Sequence, residues 1–276
     1  MCLLQQPIMW KYLVLAIGIG CGGAPAVAPA TPDVSGPQLW VQVAGHGDPT
    51  VVFEAGGGDD SSVWAKIEPQ IRSLSSVRTV VYDRAGLGKS APAPGRYRID
   101  DEAAALKRTL DRVGVTAPVV LVAHSYGGFI ATLVAATDAR IAGVVFVDAN
   151  LAEFFDDAEL ARLKARYEPQ FEALRRTKPA LADVMIPLMR AYPETVARLR
   201  GVTFPTAIPV IDIVAERSWG DSDENAAMRR AHDAFVAASP ERELVIATGS
   251  GHQVMRDRED LVVAEVARMV RIVRHR

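Results

Sequence analysis

The sequence predicts an α/β protein: a mostly parallel sheet of about eight strands, helices on both faces and an inserted helical cap. Three observations predict it. From residue 39 onward short apolar runs alternate with longer helical patterns. Two of those runs, Val119–Ala123 and Ile141–Val147, are apolar without alternation, as strands covered on both faces are. Residues 151–199 are helical, charged and aromatic, and no strand-like run interrupts them.

The first thirty-odd residues differ from the rest. Lys11 precedes the apolar run Tyr12–Cys21, and a Gly/Ala/Pro tract runs on to Pro37. The run is short for a bilayer span and fits the apolar core of an export signal. Ala26-Val-Ala28 and Ala28-Pro-Ala30 offer small-residue cleavage patterns, whereas Gly20-Cys21-Gly22 suggests a lipoprotein site with Cys21 lipidated. Residues 1–36 are therefore expected to be a signal or lipoprotein leader with a linker. The product would be exported, periplasmic or secreted, and membrane-attached if Cys21 carries lipid. Both cysteines, Cys2 and Cys21, lie in this leader, so cleavage at the alanines would leave no disulfide and no thiol nucleophile.

The remaining elements follow in order. Leu39–Val43 alternates like an edge strand, and Thr50–Phe53 is a second strand entering Glu54-Ala-Gly-Gly-Gly58. Three glycines after a strand imply close backbone approach or positive φ. Val63–Leu74 is a helix, with Ser61, Ser62, Asp59 and Asp60 available to cap it. Val77–Tyr82 is a strand leading into Asp83-Arg-Ala-Gly-Leu-Gly-Lys-Ser90. That segment lacks the spacing of a phosphate loop and reads as a structural turn braced by an Asp–Arg pair. Helices over Ile99–Val113 and after Gly128, the strand Ile141–Val147, the cap at residues 151–204, the strand Ile208–Val214, a helix Asn225–Ala238, the strand Glu243–Thr248 and a helix Leu261–Val273 complete the chain. The 276 residues, 49% hydrophobic, suffice for one large core with a small cap. A formal net charge of -2, from 31 basic and 33 acidic residues without a charged arm, gives a nucleic-acid partner no electrostatic support. Oligomeric state is not legible.

Chemistry concentrates where strands end. In Ala123-His-Ser-Tyr-Gly-Gly128 a strand turns into a helix with Ser125 at the apex, although Ala123 stands where a strict G-x-S-x-G turn has glycine. A serine needs a base. Of five histidines, His46 suits a turn, His124 points away from Ser125 along its strand, His232 lies in a charged helix and His275 in a basic tail. His252, in a glycine-rich loop after the last strand, is the candidate base. The candidate for the orienting acid is Asp148 at a strand's end, with Asp221 next; Glu216 and Asp223 follow the same later strand, and Glu216 has Arg217 beside it as an alternative partner. The Tyr126 N–H and the Gly57 N–H, with Gly58 close behind, are the candidate oxyanion donors.

Together the glycine loop Glu54–Gly58, the segment Tyr82–Ser90, the turn Ala123–Gly127 and the closing Gly249-Ser-Gly-His252 resemble an α/β-hydrolase of the serine esterase or lipase type, over Leu39–Arg274. The resemblance implies a core split into residues 37–150 and 205–276, Ser125 as nucleophile and His252 as base. Many relatives carry the acid after the strand that follows the cap; that place falls near Ser218, which is not acidic. Some relatives take it from the preceding strand, which here gives Asp148. The implied function is hydrolysis of a small-molecule carboxylic ester through an acyl-enzyme, with no cofactor and no metal. The cap aromatics and methionines Phe154, Phe155, Tyr167, Phe171, Met185, Met189 and Tyr192 would line an acyl or alcohol pocket or form the cap's own core. Amidase, aminopeptidase, cofactor-free C–C hydrolase or peroxidase activity, and a non-catalytic binding protein, are the alternatives.

Overall fold

The computed structural model describes residues 38–116 and 118–276. The expected leader, its cleavage sites and Cys21 lie outside the described residues. Seven strands form one sheet: β1 (Val41–Ala44), β2 (Thr50–Glu54), β3 (Arg78–Tyr82), β4 (Val119–His124), β5 (Ile141–Val147), β6 (Val210–Ala215) and β7 (Arg242–Ala247). Their order is β1-β3-β2-β4-β5-β6-β7. β1 runs antiparallel to β3, and every other pair is parallel. The sequence suggested about eight strands; the described residues hold seven, each where an apolar run was read.

The strands look uniformly apolar because both faces are covered, yet their side chains still alternate. Leu121 and Ala123 of β4, with Val144 and Phe146 of β5, enter one buried cluster. Val120, Val122, Val145 and Val147 enter the other. The first cluster is closed by α2 (Ile99–Arg112), α3 (Gly127–Thr137) and α8 (Ser222–Ala237), the second by α1 (Ile67–Ser75) and α10 (Glu259–Arg274). A short helix, α9 (Val254–Asp257), follows the β7 loop and was not read from the sequence.

Between β5 and β6 the chain forms α4 (Asp157–Tyr167), α5 (Phe171–Thr177), α6 (Pro179–Arg190) and α7 (Tyr192–Arg200). This is the helical insertion expected at residues 151–204. Pro179 and Pro193 sit in first turns, where the missing N–H costs nothing. Pro187 lies inside α6. Phe154 and Phe155 are buried in the main core, whereas Phe171, Ala182 and Ile186 form a small cluster within the cap. Among the described residues no helix is long and apolar enough to cross a membrane.

Candidate active site

Ser125 stands between β4 and α3 with φ 52°, in the left-handed region that a serine adopts only under constraint. The constraint is visible. Ser125 N–H donates to the Val147 carbonyl (3.3 Å), and its own carbonyl accepts from the Asn150 N–H (2.8 Å) and the Gly128 N–H (2.9 Å). A Cβ on Gly127 would lie 2.6 Å from Glu54 Cγ, and one on Gly128 would lie 2.7 Å from Ala149 Cβ. The two glycines therefore let α3 start hard against β2 and the loop after β5.

Asp148 ends β5, also at positive φ (45°), and is fully buried. His252 follows β7 in a loop braced from outside. The Gly249 N–H donates to Glu216 (2.7 Å) and the Gly251 N–H donates to Asp257 (2.8 Å). Ser125 Oγ–H donates to His252 Nε2 at 2.9 Å, and His252 Nδ1–H donates to Asp148 Oδ2 at 2.6 Å. Asp148 also accepts from the Ala215 N–H (3.0 Å) and from the Ser218 hydroxyl. Burial pushes the Asp148 carboxyl up, but the His252, Ser218 and Ala215 donors outweigh burial and hold it below the usual value. Ser218, which follows β6, hydrogen-bonds the carboxylate that stands one strand earlier.

Asp221 is elsewhere engaged. It caps α8, accepting from the Asp223 and Glu224 amides, while Glu224 reaches back to the Asp221 N–H in a capping box. Glu216 contacts Gly249 rather than Arg217.

Gly57, Gly58, Ser125, Tyr126 and His252 border one cleft of ≈ 210 Å³. Neither the Gly57 N–H nor the Tyr126 N–H donates to any group among the described residues. A Cβ on Gly57 would stand 3.6 Å from Tyr126 Cβ, so the two backbones adjoin. The glycine loop is held from below by Arg84, which donates to the carbonyls of Ala55 (2.9 Å), Gly57 (2.7 Å) and Gly56 and pairs with Glu54 (2.9 Å). The expected Asp83–Arg84 pair does not form. Asp83 instead accepts from the Ser61 and Lys89 amides and closes its own turn.

Two histidines take places the sequence did not reveal. The buried His124 ring lies 4.7 Å from the His252 ring and donates through Nε2–H to the His252 carbonyl (3.0 Å). Burial lowers its pKa to about 3, so it stays neutral. His232 is not on a solvated helix face. It is buried on α8 and donates to Asp212 of β6 at 2.7 Å. Asn150, Trp219 and Gln253 also border the cleft and were missed. They come from three separate loops, and no local pattern marks them. The cap residues divide between roles: Met185, Met189, Tyr167 and Tyr192 line the cleft, while Phe154 and Phe155 serve the core.

A parallel sheet with one antiparallel edge strand, a helical insertion between β5 and β6 and a cleft at the carboxyl end of the strands make up the α/β-hydrolase fold. The chain belongs to the alpha/beta hydrolase family, whose model matches residues 51–265. Over 105 residues it is 35% identical to the uncharacterized protein YqjL of Bacillus subtilis, covering 38% of this chain and 41% of that one, so it spans less than half of this relative's length. A thermophilic esterase from Thermogutta terrifontis shares the fold with a TM-score of 0.59 and 21% identity, covering 86% of this chain and 94% of that one. A bromoperoxidase from Bacillus anthracis shares it equally, with a TM-score of 0.59 and 19% identity over 85% and 96% of the two chains.

Proposed function

We propose that the protein is a serine hydrolase of carboxylic esters, acting through an acyl-enzyme on Ser125. The observation that carries the reading is the continuous hydrogen-bonded line from Ser125 through His252 to the buried Asp148. In the first half-reaction His252 Nε2 takes the hydroxyl proton as Ser125 Oγ bonds to the ester carbon. The oxyanion forms against the Gly57 and Tyr126 amides, which have no other partner among the described residues. Collapse breaks the bond to the alcohol oxygen, and that oxygen leaves with the proton held by His252. Water then attacks the acyl carbon, giving its proton to His252, and Ser125 Oγ departs with that proton as the acid is released. Asp148 keeps its charge throughout. It fixes the imidazole with Nδ1 protonated and stabilises the imidazolium.

Neighbours of equal structural likeness include an esterase and a bromoperoxidase. The fold alone therefore does not select the chemistry, and peroxide chemistry is the second reading. A fluorophosphonate probe, a panel of nitrophenyl esters and a peroxide-dependent halogenation assay separate the two. The ester reading expects labelling at Ser125, ester turnover lost by about 10⁴-fold or more in Ser125→Ala and His252→Ala, and no halogenation. An unlabelled serine with unaffected turnover in both variants defeats it.

A further inference from the structure

The helical insertion meets the glycine loop through one side chain above all. Along α6, Leu181, Met185 and Met189 recur at i, i+4 spacing and share a face. That face lies against the loop that carries the Gly57 N–H. A Cβ on Gly58 would lie 3.1 Å from Met185 Sδ and 3.6 Å from Leu181 Cδ1, and one on Gly57 would lie 3.7 Å from Met185 Cε. The Met185 thioether therefore rests on the two glycines, and all three residues border the Ser125 cleft.

The apolar cores do not use this sulfur. Met189 packs against the main core and against the cap cluster, whereas Met185 belongs to none of the three clusters. Of the other described methionines, Met228, Met255 and Met269 are 2% exposed or less, closed off from a reagent in solvent. Met185 and Met189 are half-buried, and both border the cleft. Thioether oxidation follows access, so an oxidant that enters the cleft meets these two sulfurs first. Of the two, Met185 is the one that a Cβ on either glycine would touch.

Oxidation there changes the surroundings of an oxyanion donor. A thioether is apolar and a weak acceptor, whereas a sulfoxide is polar and its oxygen accepts hydrogen bonds. The Gly57 N–H has no partner among the described residues and is free for the oxyanion. A sulfoxide oxygen on the atom resting against this loop competes for that donor or displaces the backbone that aims it. Loss of one such donor costs about 10²–10³ in kcat, so partial competition is already measurable.

Resting on the serine-hydrolase reading above, we propose that Met185 is an oxidation site through which hydrogen peroxide lowers the activity of Ser125. The sulfur lone pair attacks one peroxide oxygen. The S–O bond forms, the O–O bond breaks, and the departing hydroxide takes the proton left on the attacked oxygen and becomes water. Sulfur is oxidised and the peroxide is reduced, while Ser125, His252 and Asp148 are chemically unchanged.

The test exposes the parent protein, Met185→Leu and Met189→Leu to millimolar hydrogen peroxide at neutral pH and compares each with its own untreated rate. Peptide fragmentation assigns any added oxygen to residue 185 or 189. Nitrophenyl ester turnover and fluorophosphonate labelling report on Ser125. In the parent and in Met189→Leu, kcat and the labelling rate should fall by about tenfold or more, in step with the oxygen gained at residue 185. KM should change less. Met185→Leu should keep its own untreated rate through the same exposure. The inference is overturned if residue 185 gains no oxygen, if it is fully oxidised without loss of kcat, or if Met185→Leu loses activity as the parent does. Each of those results leaves the esterase reading standing. If the untreated parent cleaves no nitrophenyl ester and takes up no phosphonate at Ser125, the esterase reading falls and takes the inference with it.

Discussion

At the scale of single residues, Asp148 carries the largest expected consequence. Asp148→Asn keeps the shape but supplies a donor where His252 Nδ1–H must donate, which favours the wrong tautomer. We expect kcat to fall by about 10³–10⁴-fold in steady-state ester kinetics. Ser218→Ala removes one of the donors to the same carboxylate, and a loss far smaller than that of Asp148→Asn is expected. Asp221→Ala is the contrast: it uncaps α8, so it lowers the melting midpoint and leaves kcat unchanged. A large kcat loss in Asp221→Ala with full activity in Asp148→Asn would reverse the assignment. His124 gives a pH signature of its own. Its folded pKa, about 3, lies below the ordinary value of 6.5, so between those values the unfolded chain binds a proton that the native one refuses. Stability therefore falls as pH drops below about 6.5, by up to about 1.4 kcal/mol per pH unit from this group. Asp148 adds a separate loss only below the ordinary carboxylate value of 3.8, because its native pKa is depressed. Urea titrations at pH 7 and 5 should show a smaller difference for His124→Gln than for the parent chain. Equal differences would mean that His124 is protonated in the fold.

At the scale of elements, legibility follows how local the determinant is. The strands and the turn at Ser125 were readable because the residues that make them are consecutive: β4 runs apolar to Ala123, and Gly127 and Gly128 must be small to pass β2 and Ala149. Asp148 was readable from its place at a strand's end. What escaped reading depends on contacts between distant segments. Ser218 meets Asp148 across 70 residues of sequence, and His232 meets Asp212 from a helix whose sequence looks solvated. Arg84 is of the same kind. The expected partner was its neighbour Asp83, yet it crosses to Glu54 and to the carbonyls of the glycine loop. By holding those carbonyls it sets which way the loop's amides face, and so positions a proposed oxyanion donor without touching substrate. Arg84→Lys keeps the charge and loses the planar fork. The expected result is a lower kcat with little change in KM, together with slower phosphonate labelling at Ser125. A rise in KM alone would assign Arg84 to substrate binding instead.

At the scale of the whole molecule, the sheet and the cap are held by unequal cores. The sheet is clamped between two extensive clusters that reach from Val51 and Val52 to Val270 and Val273. The cap's own cluster is Phe171, Ala182 and Ile186, with Tyr167, Leu174 and Met189 packed against it. Opening free energy follows the apolar contact that is lost, so α5 and α6 should open well below the global unfolding free energy, while β4 and β5 open only with it. Hydrogen exchange at neutral pH is the measurement: amides of residues 171–190 should exchange much faster than those of residues 119–124 and 141–147. Phe171→Ala tests whether this unevenness reaches the Ser125 cleft, since Tyr167 and Met189 pack on the cap cluster and also border that cleft. We expect that substitution to speed exchange in α5 and α6, to leave the exchange of β4 and β5 nearly as it was, and to raise KM for long acyl esters more than for acetate. The physical ground is that a buried phenyl lost from a small satellite cluster weakens that cluster by about 3–5 kcal/mol at most, while the two clusters around the sheet keep every contact. Uniform acceleration across sheet and cap would instead mean that the two unfold as one cooperative unit, and a KM shift independent of chain length would place the acyl chain outside the cap.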